Sequence, residues 1–143
     1  MKLFTIGYEG VTMDEFLSAL RGAGVERVID VRALPLSRRP GFSKTALRNA
    51  LAEAGIEYVH LRALGTPAEG RAAARAGQQA KLEKIYAAQL GLPEAIVAAE
   101  EMKALADERP SALLCFERDP GGCHRTLLWR SALPGAEIVD LFA

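Results

Sequence analysis

The residue types best suited to chemistry stand together in the stretch CFERDPGGCHR, which runs from Cys115 to Arg125. It contains both cysteines of the chain and one of its two histidines, together with arginines, acids and a Pro-Gly-Gly turn. This composition fits four arrangements: a reactive thiol, a metal site, an anion site, or a strand–turn–helix corner without chemistry. The spacing of the residues discriminates between them.

Cys123 is the strongest candidate for a nucleophile in this stretch. It follows two glycines and opens a predicted helix, and a helix N-terminus with neighbouring cations lowers the pKa of a thiol. His124 and Arg125 beside it are candidate ligand-binding residues, with a salt bridge to a nearby acid as the alternative for Arg125. Cys115 ends an apolar run, where a cysteine usually behaves as a small buried hydrophobe. Glu117 is a candidate catalytic acid or base.

The spacing argues against a metal site and against two other kinds of site. The cysteines and the histidine read C-x7-C-H, without the C-x2-C pair common in zinc sites, so no metal is predicted. A phosphatase-type loop needs an arginine six residues after its cysteine, but the chain has Gly121 and Trp129 there. No G-x-G-x-x-G and no Walker A motif occurs, so no cofactor is predicted. Two cysteines suggest no disulfide framework.

A second group of chemical residues lies in DVRALPLSRRPGFSK. From Val31 to Ala52 there are five basic residues and no acid, and the segment leads from a strand into the start of a helix. Helix N-termini receive anions, and arginines bind phosphate or carboxylate through paired N–H groups. We expect an anion-binding loop, with a solvated basic loop as the alternative. Its candidate ligand-binding residues are Arg32, Ser37, Arg38, Arg39, Ser43 and Lys44.

Three further candidates lie at predicted strand ends. Asp30 interrupts an apolar strand, and a buried acid requires a partner. An ion pair with Arg32, Arg38 or Arg125 and a catalytic role are both open. Tyr8 follows the first strand and offers an aromatic face to a planar ligand. His60 is a candidate ligand-binding residue, because histidine as a residue type can exchange a proton near neutral pH; the alternative is a hydrogen-bonding structural residue.

Strands that alternate with helices must position these groups. Short apolar runs predict strands over 2–8, 27–32, 56–61, 112–117 and 137–142, and helical spacing predicts helices over 12–24, 43–55, 80–108 (broken at 91–93) and 122–133. Residues 62–79 are rich in Gly and Ala and are expected to be mobile in part. The order predicts an α/β fold: one domain over 1–143, with a mostly parallel open sheet of about five strands and helices on both faces in Rossmann-like layers. Ligands bind such sheets at the carboxyl ends of the strands.

Composition restricts the partners. The 143 residues carry 18 basic and 18 acidic side chains, and the formal net charge is zero, which gives no global indication of a nucleic-acid or membrane partner. No apolar run approaches the ~20 residues of a membrane helix, and the N-terminal residues turn polar too soon for a signal peptide. We therefore expect a cytoplasmic protein. The pattern does not specify an oligomeric state.

The motifs resemble one known family. TIGYEG, DVRALPLSRRPGFSK, GIEYVHLRALG and LLCFERDPGGCHR occur in this order and together are similar to the DUF488 family of small bacterial and archaeal proteins of undetermined function. The resemblance implies an α/β fold and a shared site at these motifs, but no reaction. Members often carry a small residue where Glu9 stands and Leu-Gly-Gly where this chain has Leu64-Gly65-Thr66, which weakens both places as candidate contacts.

Two functional hypotheses follow. The first is an enzyme that acts on a small anionic ligand, phosphorylated or nucleotide-like, with Asp30, Glu117 or Cys123 as acid, base or nucleophile. The alternative is a non-catalytic binding module, associated with nucleic acid through the basic segment 32–48. Zero net charge and nine aromatic residues favour the first hypothesis.

Overall fold

The computed structural model describes residues 1–143, except for the exposure of Gly122. Five strands and six helices follow one another along the chain. They are β1 (Lys2–Gly7), α1 (Met13–Gly22), β2 (Arg27–Asp30), α2 (Lys44–Glu53), β3 (Glu57–His60), α3 (Ala68–Arg75), α4 (Gln79–Leu90), α5 (Pro93–Glu108), β4 (Ser111–Cys115), α6 (His124–Ala132) and β5 (Glu137–Leu141). Short 3-10 turns cover Arg62–Leu64 and Pro120–Gly122.

The strands form one parallel sheet in the order β3-β2-β4-β1-β5, so the predicted α/β fold is confirmed. Apolar side chains cover both faces. On one face Phe16 and Leu20 of α1 pack with Leu47 of α2 against the sheet. On the other face Met102 of α5 and Leu128 of α6 do the same. Burial on both sides explains why the strand bodies read as continuous apolar runs.

Local sequence signals set several helix ends as predicted. Thr12 caps α1 in a complete capping box with Glu15, which satisfies two otherwise free backbone N–H groups. Pro93 stands in the first turn of α5, where its missing N–H is harmless, and the break between α4 and α5 falls there. None of the described helices combines the length and hydropathy that crossing a bilayer requires.

Helix α3 is the element that the sequence prediction lacked. The expectation of partial mobility over 62–79 rested on its Gly and Ala content, because Gly is unfavourable inside a helix. In the structure Gly70 is buried, and a Cβ there would come 2.5 Å from Thr66 Cγ2 and 3.3 Å and 3.6 Å from Ile85 and Leu82 of α4. The missing side chain leaves room for Thr66 and for α4. The four alanines of α3 are strong helix formers that offset the single glycine.

The connections that leave the neighbouring strands β1 and β4 run in opposite directions across the sheet. After β1 it crosses through α1 towards β2, and after β4 it crosses through α6 to β5 at the other edge. The two strands are neighbours, with Gly7 opposite Cys115. Loops that leave adjacent strands in opposite directions open a crevice between them. This switch point places Tyr8 and Cys115 beside each other at the carboxyl edge.

Candidate functional site

A cavity of about 680 Å³ opens at the carboxyl edge of the sheet, a size typical of small-molecule sites. Its wall is formed by the loops after β1, β2 and β4 together with helices α3 and α4. The wall residues are Tyr8, Arg32, Ala33, Leu34, Leu36, Ser37, Arg38, Arg39, Thr66, Arg71, Ala74, Arg75, Leu82, Cys115, Phe116, Glu117 and His124.

The charges of this wall are strongly unbalanced. Among its described members, five are arginines and one, Glu117, is an acid. The basic segment after β2 supplies three of the arginines, as expected from sequence. Arg71 and Arg75 come from α3 and were not predicted. Their i,i+4 spacing places them on one helical face, but the sequence does not indicate that this face points towards β2.

Arg32 and Asp30 form a buried ion pair beneath the cavity. The Asp30 carboxylate is fully buried and accepts bonds from Arg32 Nε at 2.9 Å, from Arg32 Nη2 at 2.8 Å and from the Tyr58 hydroxyl at 2.6 Å. Arg32 also donates through Nη1 to Tyr8 Oη at 3.2 Å and to the Phe42 carbonyl at 2.8 Å.

Of the two roles open for Asp30, the geometry favours the ion pair, because Asp30 does not belong to the described cavity wall. Most of the Arg32 donors are engaged within the protein, which fixes the orientation of its side chain. Hydrogen bonding to Asp30 raises the pKa of Arg32 despite the opposing effect of its burial. Burial raises the pKa of Tyr58, and the adjacent carboxylate adds to the shift.

Hydrogen bonds between two serines fix the conformation of the basic segment. Ser43 Oγ accepts from the Ser37 amide at 3.0 Å and donates to the Ser37 carbonyl at 3.2 Å. Ser43 is at the N-cap position of α2, as predicted, but makes no side-chain capping bond. The Lys44 amide donates to the Pro35 carbonyl at 2.8 Å. Ser37 belongs to the cavity wall. Ser43 and Lys44 are not among its described residues and support the segment through these hydrogen bonds.

Two aromatic rings line the cavity beside the arginines. Tyr8 stacks on Phe42 with ring centroids 4.7 Å apart and meets Phe116 edge-on at 5.4 Å. Arg32 lies over the Tyr8 ring at 5.2 Å. Large apolar side chains are exposed at the rim: Leu34 at 51%, Leu36 at 71% and Phe116 at 43%. The site therefore combines cations with an apolar surface.

Glu117 lies two residues after the end of β4, on the same wall as the arginines. Its burial raises the pKa of its carboxyl group, while its own backbone amide and the Arg125 guanidinium act in the opposite direction. Its backbone carbonyl accepts from Arg125 Nη1 at 2.6 Å. Glu117 is thus the candidate acid or base that the structure brings next to the cationic wall.

Cys115 and Cys123 are joined by a disulfide bond, which the sequence analysis did not anticipate. The bond links the end of β4 to the start of α6. Cys115 belongs to the cavity wall, and Cys123, which is 3% exposed, lies behind it. Cys123 can act as the predicted nucleophile only after this bond is reduced.

Arg125 is completely buried rather than exposed to the cavity. Its Nη1 donates to Cys115 Sγ at 3.1 Å, and its Nη2 donates to the Arg118 carbonyl at 3.2 Å. Within the described part of the chain no carboxylate forms a salt bridge with it, and its Nε has no partner. Burial lowers the pKa of Arg125. Its contacts cross-link the β4 loop to α6.

The two histidines have different surroundings. His124 lines the cavity, and its Nε2 donates to the Val31 carbonyl at 2.8 Å. Burial lowers the pKa of His124 to about 4, so the imidazole is neutral at pH 7. His60 donates from Nε2 to the Arg32 carbonyl at 2.7 Å and is not among the described wall residues, which fits its structural interpretation.

A comparison with protein-family models finds a match over residues 12–131, most of the chain, to the family described as "Domain of unknown function DUF488". No match was found among curated proteins, and none among solved structures.

Proposed function

Because the chain belongs to the DUF488 family, whose description specifies no activity, we propose a function from the geometry of the cavity. We propose that the protein is an enzyme that acts on a small anionic ligand, phosphorylated or nucleotide-like, bound at the carboxyl ends of the strands.

One observation carries this proposal: five arginines and a single acid among the described residues of one cavity. Cations that share a cavity repel one another, and a bound anion relieves this repulsion. Arg38 and Arg75 are exposed, and Arg71 has its Nη1 on the Thr66 carbonyl at 2.8 Å. These three side chains have donors left for a ligand. Arginine suits phosphate because its planar fork can donate two parallel bonds.

The apolar part of the wall supports a ligand larger than inorganic phosphate. The Tyr8 ring is 3% exposed and stacks on Phe42. Phe116 presents ring surface and the exposed Leu34 and Leu36 lie at the rim. Burial of such surface under a ligand is favourable at about 25 cal/mol per Å² of apolar area. A planar or apolar group joined to a phosphate would use both halves of the cavity.

Glu117 is the proposed acid or base, because it is the carboxyl group on the cationic wall. A proton acceptor next to a bound phosphate ester suits either hydrolysis or group transfer. Asp30 instead positions Arg32 through the buried ion pair. Cys123 remains an alternative nucleophile in the reduced protein, and replacing it with serine tests this alternative.

Ligand binding can be measured by isothermal titration calorimetry with pyrophosphate and nucleoside monophosphates. Arg75→Gln should weaken binding by about tenfold, the effect of ~1.4 kcal/mol. Arg48→Gln is the matched control, because Arg48 is an exposed arginine of the basic segment that is not among the described wall residues. If the ligand bound only to the basic segment outside the cavity, Arg48→Gln would weaken binding and Arg75→Gln would not. Equal ligand affinity of the wild type and both variants would refute the cavity as the anion site.

Catalysis requires a separate measurement. A panel of phosphorylated compounds is incubated with the protein, and phosphate release or product formation is followed by NMR. Glu117→Gln should abolish turnover and leave the ligand Kd within about twofold, since a general acid or base typically contributes ~10²–10⁴-fold to rate. If the variant keeps full turnover, Glu117 is not the acid or base.

A further inference from the structure

Two sulfur atoms and one ring nitrogen meet between the cavity and α6. The ligand atoms of Cys115, Cys123 and His124 all lie within 4.8 Å of one another. Cys123 Sγ is 3.9 Å from His124 Nδ1. Cys115 ends β4, whereas Cys123 and His124 stand at the start of α6, so the loop between these two elements must fold back to bring Cys115 to the other two donors.

The orientation of the His124 ring suits coordination of a metal ion. Its Nε2 donates to the Val31 carbonyl, and a carbonyl can only accept, so this nitrogen carries the ring proton. Nδ1 therefore presents its lone pair, and it faces the sulfurs. Metal-ligating histidines characteristically donate their other N–H to a carbonyl or carboxylate in this way, which fixes both tautomer and ring direction.

Donors around the sulfurs favour their ionised form. Arg125 Nη1 lies 3.1 Å from Cys115 Sγ and 4.0 Å from Cys123 Sγ, and the Arg125 amide donates to Cys123 Sγ at 3.5 Å. A buried guanidinium needs a counter-charge, and Arg125 has no carboxylate salt bridge among the described residues. Two thiolates would supply that charge and leave negative charge for a cation.

We propose that Cys115, Cys123 and His124, once their disulfide is reduced, bind a zinc-like divalent cation through two thiolates and an imidazole. A dithiol or phosphine reductant gives two electrons and the bond accepts two protons, which yields two thiols. Each thiol then loses its proton to solvent as the cation binds. Thiolate and imidazole ligands together select zinc over magnesium or calcium.

The proposed site has three protein ligands and borders the cavity through Cys115 and His124. Three ligands with an open fourth position are characteristic of catalytic rather than structural zinc sites. The inference goes beyond the proposed anion site and does not depend on it. Oxidation to the disulfide removes both thiolates, so the cation and the disulfide exclude each other.

Cobalt is the spectroscopic probe. The full chain is reduced with a phosphine, freed of metal by a chelator and titrated anaerobically with Co²⁺ in phosphate-free buffer. We expect one equivalent to produce thiolate charge-transfer absorption and intense visible bands of tetrahedral cobalt, and Zn²⁺ to remove both. The oxidised protein should give neither. Because no anionic ligand is present, a failure here concerns the cation site and leaves the proposed function untouched.

Variants identify the ligands. Cys123→Ser retains an N-cap oxygen for α6, and His124→Gln retains an amide donor for the Val31 carbonyl. Each should weaken cobalt binding by more than about 100-fold, since even residues that only support metal ligands affect affinity by ~10–100-fold. His60→Gln is the matched control, because it replaces the chain's other histidine, and it should bind cobalt like the wild type.

Three results would overturn the proposal: no cobalt bands in the reduced protein, unchanged affinity in Cys123→Ser, or equal binding by the oxidised form. Circular dichroism shows whether each variant folds. Should a variant not fold, reduced wild-type protein alkylated at both cysteines replaces it. Retention of cobalt binding after alkylation refutes the site equally well.

Discussion

Replacing Asp30 with asparagine tests the ion pair on which the geometry of the cavity depends. The substitution keeps the shape of the side chain and removes its charge. The carboxylate accepts from the Arg32 amide at 3.1 Å, from two guanidinium nitrogens of Arg32 and from the Tyr58 hydroxyl. Asparagine retains one oxygen for these donors, and its amide group points a donor at another donor.

The loss of stability expected for Asp30→Asn follows from the burial of the ion pair. The side chains of Arg32 and Asp30 are 6% and 0% exposed, so water cannot replace the lost partner. Leaving one member of a buried pair without its counter-charge typically costs ~3–5 kcal/mol. Because domains are stable by only ~5–15 kcal/mol, Asp30→Asn should remove a large fraction of the stability. We expect a loss of about 3–5 kcal/mol.

Urea unfolding, followed by fluorescence of the single tryptophan Trp129, measures this loss. Glu100→Gln provides the matched control, since Glu100 pairs with Lys103 on the surface and is 68% exposed. Because an exposed ion pair contributes only ~0–1 kcal/mol to stability, Glu100→Gln should lower the free energy of unfolding by no more than that amount.

A double-mutant cycle isolates the pair itself. In Asp30→Asn with Arg32→Met, the second change removes the unpaired cation and should recover about 1–3 kcal/mol relative to additivity. If Asp30→Asn costs less than about 1 kcal/mol, or if the two changes add, the pair is not the buried interaction described here.

Further predictions concern pH, packing and partners. Burial raises the pKa of Tyr58 and of Tyr86; an unfolded chain loses these protons near pH ~10, so urea midpoints should fall as pH rises above ~10, and Tyr58→Phe should reduce the fall. A Cβ on Gly7 would overlap the Glu117 carbonyl and lie 2.8 Å from Arg125 Nη1, so Gly7→Ala should cost at least ~1–3 kcal/mol in thermal or urea unfolding. Gly22→Ala meets nothing within 4 Å among described atoms and should be neutral or stabilising by up to ~1 kcal/mol. Retention on immobilised DNA should be weak; strong retention with a steep salt dependence would favour the nucleic-acid alternative.

Local patterns along the chain are sufficient to predict the element order and therefore the fold class. Continuous apolar runs and capped, periodic segments predict the five strands and five of the six helices, because these signals act between residues close in the chain. The same order placed Tyr8, Glu117 and the basic segment after β2 at one sheet edge, since parallel strands end together. For this reason the position of the cavity was predictable.

How the chemical groups are used depends on long-range packing. Asp30, Arg32 and Arg125 are all charged and all lie near strand or helix ends, yet burial commits each of them to contacts within the protein. The contribution of α3 depends on Gly70 packing against α4, which no local pattern encodes. The meeting of Cys115, Cys123 and His124 likewise depends on the path of the β4 loop, because a C-x7-C-H spacing specifies no common point in space. Local sequence signals fix secondary structure, whereas long-range packing decides which side chains remain available to a ligand.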